Sequence, residues 1–362
     1  MKIIHCADLH LDSKMLTNLS KEQAKERKME ILRTFTRMIE FGEKQGVSVV
    51  LIAGDLFDTR NVSATARNLV RDTIVSHPNM DFLYLKGNHD SDNFLSKLET
   101  IPENLKMFGD TWRSYSYGKV VFSGIELSKD NQATVYNSLV LDHDVFNVVT
   151  MHGQLADYKS KDQVETISLN DLKNKNIDYL ALGHVHDFKM DQLDARGIYC
   201  YSGCMEGRGF DECGEKGFVL IDINEDTLEA KLSFAPIASR TLYALDVDVS
   251  GVMTTQEATV CIEKKLAEVN YPSKSMVKIV LTGEVDVECE INLDFLKDMF
   301  ADYFFFEKVS NHTKMLVNYS DYEKDESLKG EFIRMVMKSD LLEERKSEVI
   351  RCGIMALSGE EI

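Results

Sequence analysis

Short, unbroken apolar runs alternate along this chain with stretches whose apolar residues recur at helical spacing. Residues 2–7 and 47–53 are such runs, each closed by a small or acidic turn residue, the pattern of strands buried on both faces. Between them Ile31, Leu32, Phe35, Met38 and Ile39 predict a helix over about 22–44, and Gly46 supplies its stop. A second helix is predicted over 63–76, with Ser63 as N-cap, and a third strand over 81–86. This β-α-β-α-β opening predicts a layered α/β sheet with right-handed crossovers.

Further strands are expected at 120–125, 146–151, 179–182, 198–201, 218–223 and 228–234, with few helices between them. An antiparallel or mixed second sheet follows, packed on the first with helices outside: a four-layer α-β-β-α sandwich. A boundary is expected near 236–240. Beyond it, strands at 243–249, 276–283 and 304–309 alternate with helices at 255–268 and 293–303. From about 326 to 357, Leu328, Phe332, Met335, Val336, Leu341, Leu342, Val349 and Ile350 recur at helical spacing. The expected division is therefore 1–238, a layered domain; 239–320, a small α/β cap domain; and 321–362, a helical tail.

At 362 residues the chain has ample material for more than one core, and no apolar run approaches the ~18–20 residues of a membrane span. A strand so close to residue 1 leaves no room for a secretory signal, and seven cysteines without paired spacing suit a reducing compartment. The expected location is the cytoplasm. The net charge of −18 changes the picture most. Residues 240–362 carry 15 Lys and Arg against 24 Asp and Glu, and residues 1–239 carry 27 against 36, so neither half is a basic module. An acidic substrate must be held locally or with a partner's help.

Five of the nine histidines fall in short turns after predicted strands: Asp8-Leu9-His10, Gly54-Asp55-Leu56-Phe57-Asp58, Gly87-Asn88-His89-Asp90, Met151-His152-Gly153 and Gly183-His184-Val185-His186 supply them together with carboxylates and an amide. Strand ends are where α/β sheets gather ligand-binding side chains. Alternation along an extended segment would send Asp8 and His10 to one side, where both can bind one ion. Asp55 can bridge two ions with its two oxygens, Asn88 offers a neutral carbonyl, His184 and His186 suit neighbouring ions, and His152 completes the second set. Such a pair of divalent ions, ~3.5–4 Å apart, activates a water and clamps the oxygens of an in-line phosphoryl displacement. His89 is placed to protonate the leaving oxygen, with Asp58 orienting its ring. Taken singly, an Asp-x-His is a solvated turn and a Gly-His-x-His a transient metal scavenger; their order after strands argues for one site. His5 reads as a core histidine, His77 as a helix end and His143 as part of a charged turn. Cys6, Cys200 and Cys204 read as small buried apolar residues.

In this order the five motifs, covering residues 8–186, resemble those of the calcineurin-like metallophosphoesterases. The resemblance implies one metal held by Asp8, His10, Asp55 and His186, a second held by Asp55, Asn88, His152 and His184, and an acid dyad of Asp58 and His89. Residues 5–13, 54–59, 201–206 and 216–218 are similar to the SbcD and YhaO-type bacterial DNA repair exonucleases. That narrower likeness implies a Mn2+-activated 3′-to-5′ DNA exonuclease with an SbcC-like ATPase partner docked on the tail. The same donors tolerate Fe2+ or Zn2+. Thr59 stands where the family's protein phosphatases carry Arg, which points away from phosphoprotein monoesters. Lys14, Arg60, Asn61 and Arg208 are candidate DNA contacts, and helix 63–76 a candidate homodimer face. A small-molecule or cyclic-nucleotide phosphodiesterase is the alternative, and a scaffold with a vestigial metal site the third reading.

Overall fold

Strands β1 (Lys2–Cys6), β2 (Val49–Ala53) and β3 (Asp81–Leu85) are apolar on both faces because each face meets a different layer. Ile4, Cys6, Val50, Ile52, Phe82 and Tyr84 point to helices α1 (Lys21–Gln45) and α2 (Ala64–Ser76). Ile3, Val49, Leu51, Leu83 and Leu85 point the other way, into a second sheet. Ser20 and Gln23 form a capping box at the start of α1, Gly46 ends it in the left-handed region, and Ser63 caps α2. The computed structural model describes the chain except residues 16–18, 59–61, 91–99, 157–164, 287–288, 317–321, 323 and 358–362. Two compact units result, Met1–Thr241 and Leu242–Ile362.

In the first unit, β4 (Leu105–Met107), β13 (Gly217–Asn224) and β14 (Glu229–Pro236) complete a six-stranded sheet in the order β14-β13-β1-β2-β3-β4. β1 to β4 run parallel, and β13 and β14 add antiparallel. The second sheet holds β5 (Arg113–Tyr117), β6 (Val120–Gly124), β7 (Phe146–His152), β10 (Tyr179–Gly183), β11 (Lys189–Gln192) and β12 (Ile198–Tyr201), in the order β11-β12-β10-β7-β6-β5. Its four central strands are parallel and both edges antiparallel. A small pair, β8 (Gln154–Leu155) and β9 (Thr166–Ile167), follows β7. The two sheets pack face to face with helices outside, the α/β sandwich expected. The outermost layer over the second sheet is thinner than the other: helix α3 (Leu169–Leu172) and a run of turns, with Val135, Leu139 and Leu172 set against Val149, Met151, Leu180 and Leu182.

In the second unit β15 (Leu242–Asp248), β16 (Met276–Thr282) and β18 (Phe306–Asn311) form a parallel sheet joined through α4 (Thr255–Val269) and α5 (Leu293–Phe300). Val247, Val277, Ile279, Leu281 and Val309 pack with Ile262 of α4 and Phe300 of α5. β17 (Glu284–Asp286) pairs with β19 (Lys314–Leu316). Helices α6 (Leu328–Met337) and α7 (Glu343–Leu357) enclose Ile333, Val336, Ile350 and Ile354, so the tail has a small core within this unit. Leu328, Met335, Leu341 and Leu342, read from the same periodicity, are exposed.

One ion-pair network fastens the segment after β12 to α1. Arg27 is wholly buried and donates through Nη2 to Glu206 Oε2 and to the Gly207 carbonyl, each at 3.0 Å. Thr34 Oγ1 donates to the other Glu206 oxygen at 2.6 Å. Removing one partner of such a pair strands a buried charge, at a cost of about 3–5 kcal/mol. Arg27→Met is therefore expected to lower stability by that amount in urea denaturation. Arg27→Met with Glu206→Gln should recover part of the loss, because the uncompensated charge is gone.

Candidate metal centre

Parallel strands deliver their C-terminal ends to one edge, and the predicted residues stand there. Asp8 and His10 follow β1, Asp55 follows β2, Asn88 and His89 follow β3, His152 ends β7, and His184 and His186 follow β10. The first two loops continue the parallel pairing beyond their strands: Asp8 N donates to Gly54 O at 3.0 Å, His10 N to Asp55 O at 3.0 Å and Leu11 N to Leu56 O at 2.9 Å. Asp8 and His10 do converge, but not by extended alternation. Their φ angles are +51° and +44°, with Asp55 at +52° and His184 at +101°, in the left-handed region that non-glycine residues rarely adopt. The turn replaces the alternation expected from the sequence.

Two glycines are required by what sits on them. A Cβ at Gly54 would lie 2.1 Å from His152 Nδ1, and one at Gly87 would lie 2.2 Å from Asp55 Oδ1. Asp90, the last residue of the Gly-Asn-His-Asp turn, accepts from the amides of Phe57 and Gly87 at 3.0 Å and of Leu56 at 3.2 Å. It thereby ties the turns after β2 and β3 together. Burial pushes its carboxyl up to about 6 despite those donors.

Asp8, His10 and His186 bring donor atoms within 4.8 Å of one another, as do Asp8, Asp55 and His152. His152 Nδ1 sits 2.9 Å from the Ala53 carbonyl, which assigns its hydrogen to that atom. Its Nε2 then faces Asn88 Oδ1 at 3.1 Å and Asp55 Oδ2 at 3.4 Å. His10 Nδ1 lies 3.1 Å from Asp58 Oδ1, and His186 Nδ1 lies 2.6 Å from Glu212 Oε1. Glu212 accepts from His186 Nδ1, Asp58 stands beside His10 Nδ1 without an aligned hydrogen bond, and the two Nε2 atoms meet each other at 3.2 Å. Every Nε2 in the group thus faces other acceptors, and a proton or a cation must stand between them. Separations near 3 Å are the edges of a coordination shell with bonds of about 2.0–2.2 Å. The donor set fits a divalent pair: Asp8 is common to the two groups, and Asp55 Oδ2 stands 3.8 Å from His10 Nε2 and 3.4 Å from His152 Nε2. The ring of His184 stands edge-on to that of His152, with centroids 5.4 Å apart.

Burial and the neighbouring charges oppose each other at these same groups. Burial disfavours charge at His152, yet the Asp55 and Asp8 carboxylates raise its imidazole to about 9. Burial likewise opposes ionisation of Asp55, but His152 and His10 hold its carboxyl down at about 2. Burial is outweighed at His186, where Glu212 and Asp8 raise the imidazole, whereas burial lowers His10 and His184.

Asp58 lies closer to His10 than to His89, whose Nδ1 is 3.8 Å away. It also accepts from Ser13 Oγ and Arg208 Nη1, each at 3.0 Å. His10, at 3.1 Å, is therefore its nearer histidine, and His10, Asp58 and His89 group together. His89 is half-exposed, and its ring stands 5.1 Å from that of His10. Arg208, a candidate DNA contact, has its guanidinium engaged by Asp58 and by Glu212 Oε1, the latter at 2.9 Å. Arg60 and Asn61 lie outside the described residues, and Lys14 is exposed. Glu212 and Lys216, which donates to the His186 carbonyl at 3.1 Å, were not read from the sequence. No spacing rule links them to a histidine more than twenty residues earlier.

Residues 1–188 match the sequence model of a family described as calcineurin-like phosphoesterase. The metallophosphoesterase YhaO of Bacillus subtilis is 25% identical over 70% of this chain and 65% of its own length. The DNA double-strand break repair protein Mre11 of Sulfolobus acidocaldarius is 23% identical over 84% of this chain and 81% of its own. The SbcD component of the SbcCD nuclease of Staphylococcus epidermidis is 24% identical over 77% and 82%. The chain thus spans just under two thirds of YhaO and more of the other two.

A divalent cation entering this centre must displace the His152 proton. With the imidazole raised to about 9, calorimetric titration in buffers of differing ionisation enthalpy should show proton release at pH 7. Apparent affinity should climb, by up to about tenfold per pH unit, toward pH 9 and then level. The sign for stability is opposite. A folded value above the ordinary 6.5 stabilises the metal-free protein fully below pH 6.5, and that contribution fades as pH rises through 9. Melting of the metal-free protein should fall over that window, and a pH-independent affinity would contradict the assignment.

Proposed function

Because this chain belongs to the calcineurin-like phosphoesterase family, we propose that it hydrolyses phosphodiester bonds of DNA as a 3′-to-5′ exonuclease. The observation that carries the diester reading is the commitment of Arg208 to two carboxylates. A terminal phosphate dianion calls for a free guanidinium clamp, and Thr59 stands where the family's protein phosphatases supply one. A diester, with one negative charge, needs less. The DNA reading is supported by likeness to proteins described as a DNA double-strand break repair protein and as part of a nuclease.

The residues that would hold the two ions are Asp8, His10, His186 and Asp55 for one, and Asp55, Asn88, His152 and His184 for the other. When bound, such ions supply charge neutralisation at the phosphoryl oxygens and an activated water. Mn2+ is the proposed ion. Asp55 orders the site from both sides, since its Oδ1 also accepts from the His89 amide at 2.9 Å. That bond fixes the backbone from which the half-exposed His89 ring projects. With Nδ1 toward Asp58, Nε2 is the atom that gives a proton to the departing 3′-oxygen. Asp58 keeps His10 in the tautomer that leaves Nε2 free for a cation.

The net charge of −18 bears on how DNA is held, because sequence-independent affinity comes from phosphate neutralisation. The proposal therefore includes an SbcC-like ATPase partner offering basic surface, and a homodimer, in the cytoplasm. Among the described residues no helix is long and apolar enough to cross a membrane. The same acidity favours a second reading, a small-molecule or cyclic-nucleotide phosphodiesterase that needs no such help.

One assay separates the two. Single strands labelled at either end, a cyclic nucleotide and an aryl diester are incubated with Mn2+. Mononucleotides leaving from the 3′ end are expected, and faster turnover of the cyclic nucleotide than of DNA would overturn the proposal. His89→Ala should slow DNA hydrolysis by about 10²–10⁴-fold while retaining the ions. Asp55→Ala should lose ions and activity together.

A further inference from the structure

Each of the two histidines that meet at 3.2 Å has a carboxylate beside its Nδ1, and one guanidinium grips both carboxylates. Arg208 Nη1 lies 3.0 Å from Asp58 Oδ1, the oxygen that faces His10 Nδ1 at 3.1 Å. Its Nη2 lies 2.9 Å from Glu212 Oε1, the oxygen that accepts from His186 Nδ1 at 2.6 Å. The Arg208 amide holds the remaining Glu212 oxygen at 2.7 Å. His152 is oriented differently, by the main-chain carbonyl of Ala53 at 2.9 Å. Asp58 and Glu212 are two anions drawn to one region, and the fork of Arg208 is what lets them share it. Without it they repel, and the rings of His10 and His186 lose their common orientation.

We propose that Arg208 is a positioning residue for one metal position alone, the one built on Asp8, His10 and His186. The position built on Asn88 and His152 stands independently of it. This inference rests on the two-metal reading of the centre and not on the identity of the substrate. Orienting partners of ligand histidines typically govern affinity by about 10–100-fold. Lysine at the same place reaches one carboxylate but not both with fixed geometry, so it restores part of the effect.

The test is Mn2+ titration of the whole chain by calorimetry, with electron paramagnetic resonance at saturation. The unaltered protein is expected to take two ions and to give a spin-coupled pair signal. Arg208→Gln should keep one affinity and lose the other by about 10–100-fold, with an isolated-ion signal at intermediate Mn2+. Arg208→Lys should fall between, and Glu212→Gln, which keeps an acceptor oxygen for His186, should weaken the same position less. Equal weakening of both positions, or no change in either, would overturn the role of Arg208. An unaltered protein that takes fewer than two ions would overturn the two-metal reading and this inference together.

Discussion

Imidazole Nε2 atoms turned toward one another and toward Asp55 set the terms for everything else at this edge of the sandwich. The Ala53 carbonyl and Glu212 stand at hydrogen-bond distance from Nδ1 of His152 and His186, Asp58 lies beside Nδ1 of His10, and the three Nε2 atoms are turned inward. Such a group is unfavourable when empty, since buried polar atoms without partners cost free energy. The carboxylates around His152 and His186 raise both imidazoles, which favours a proton there and offsets part of that cost. A divalent ion does the same with more charge and fixed geometry. A cation held by these residues would compete with protons, which would tie its affinity to pH.

Holding that arrangement requires backbone conformations that most residues avoid. Asp8, His10, Asp55 and His184 all sit at positive φ. Each such residue costs of order 1–3 kcal/mol, and persists only where its surroundings over-determine it. Here they do. The loop after β1 is hydrogen-bonded to the loop after β2, Asp90 joins the latter to the turn after β3, and the His184 amide donates to both oxygens of Asp8 at 2.9 and 3.0 Å. The first two sets join loops of one sheet and the His184 amide carries the connection to the other, so the strain is borne by several loops rather than by any single turn. The apolar layer between the sheets, from Ile3 and Leu51 to Val148 and Ala181, keeps the two edges level.

Beyond the strand ends, the segment 202–216 works as a brace. Glu206 anchors it to α1 through Arg27 and Thr34. Glu212 and Lys216 hold the side chain and the carbonyl of His186, and Arg208 carries the connection to Asp58. A buried ion-pair network seldom adds net stability over an apolar equivalent, but it fixes geometry. Fixed geometry is what a centre of facing acceptors needs.

Much of this was legible in the chain alone. The apolar runs of β1, β2, β3, β7 and β10 announce themselves because both faces are buried, and the motif residues follow them directly. The capped helices α1 and α2 were equally plain. The edge strands β5 and β11 were not, because Arg-Ser-Tyr-Ser-Tyr and Lys-Met-Asp-Gln are largely solvated and carry no apolar run. Local sequence thus determined which residues could be ligands, since residue type and strand-end position are local properties. Only the tertiary structure decided which carboxylate orients which histidine. Asp58 stands nearer His10 than His89, Glu212 was recruited from beyond β12, and Arg208 pairs with both carboxylates. Those pairings depend on where separate loops meet in space, and no periodicity along the chain encodes that distance.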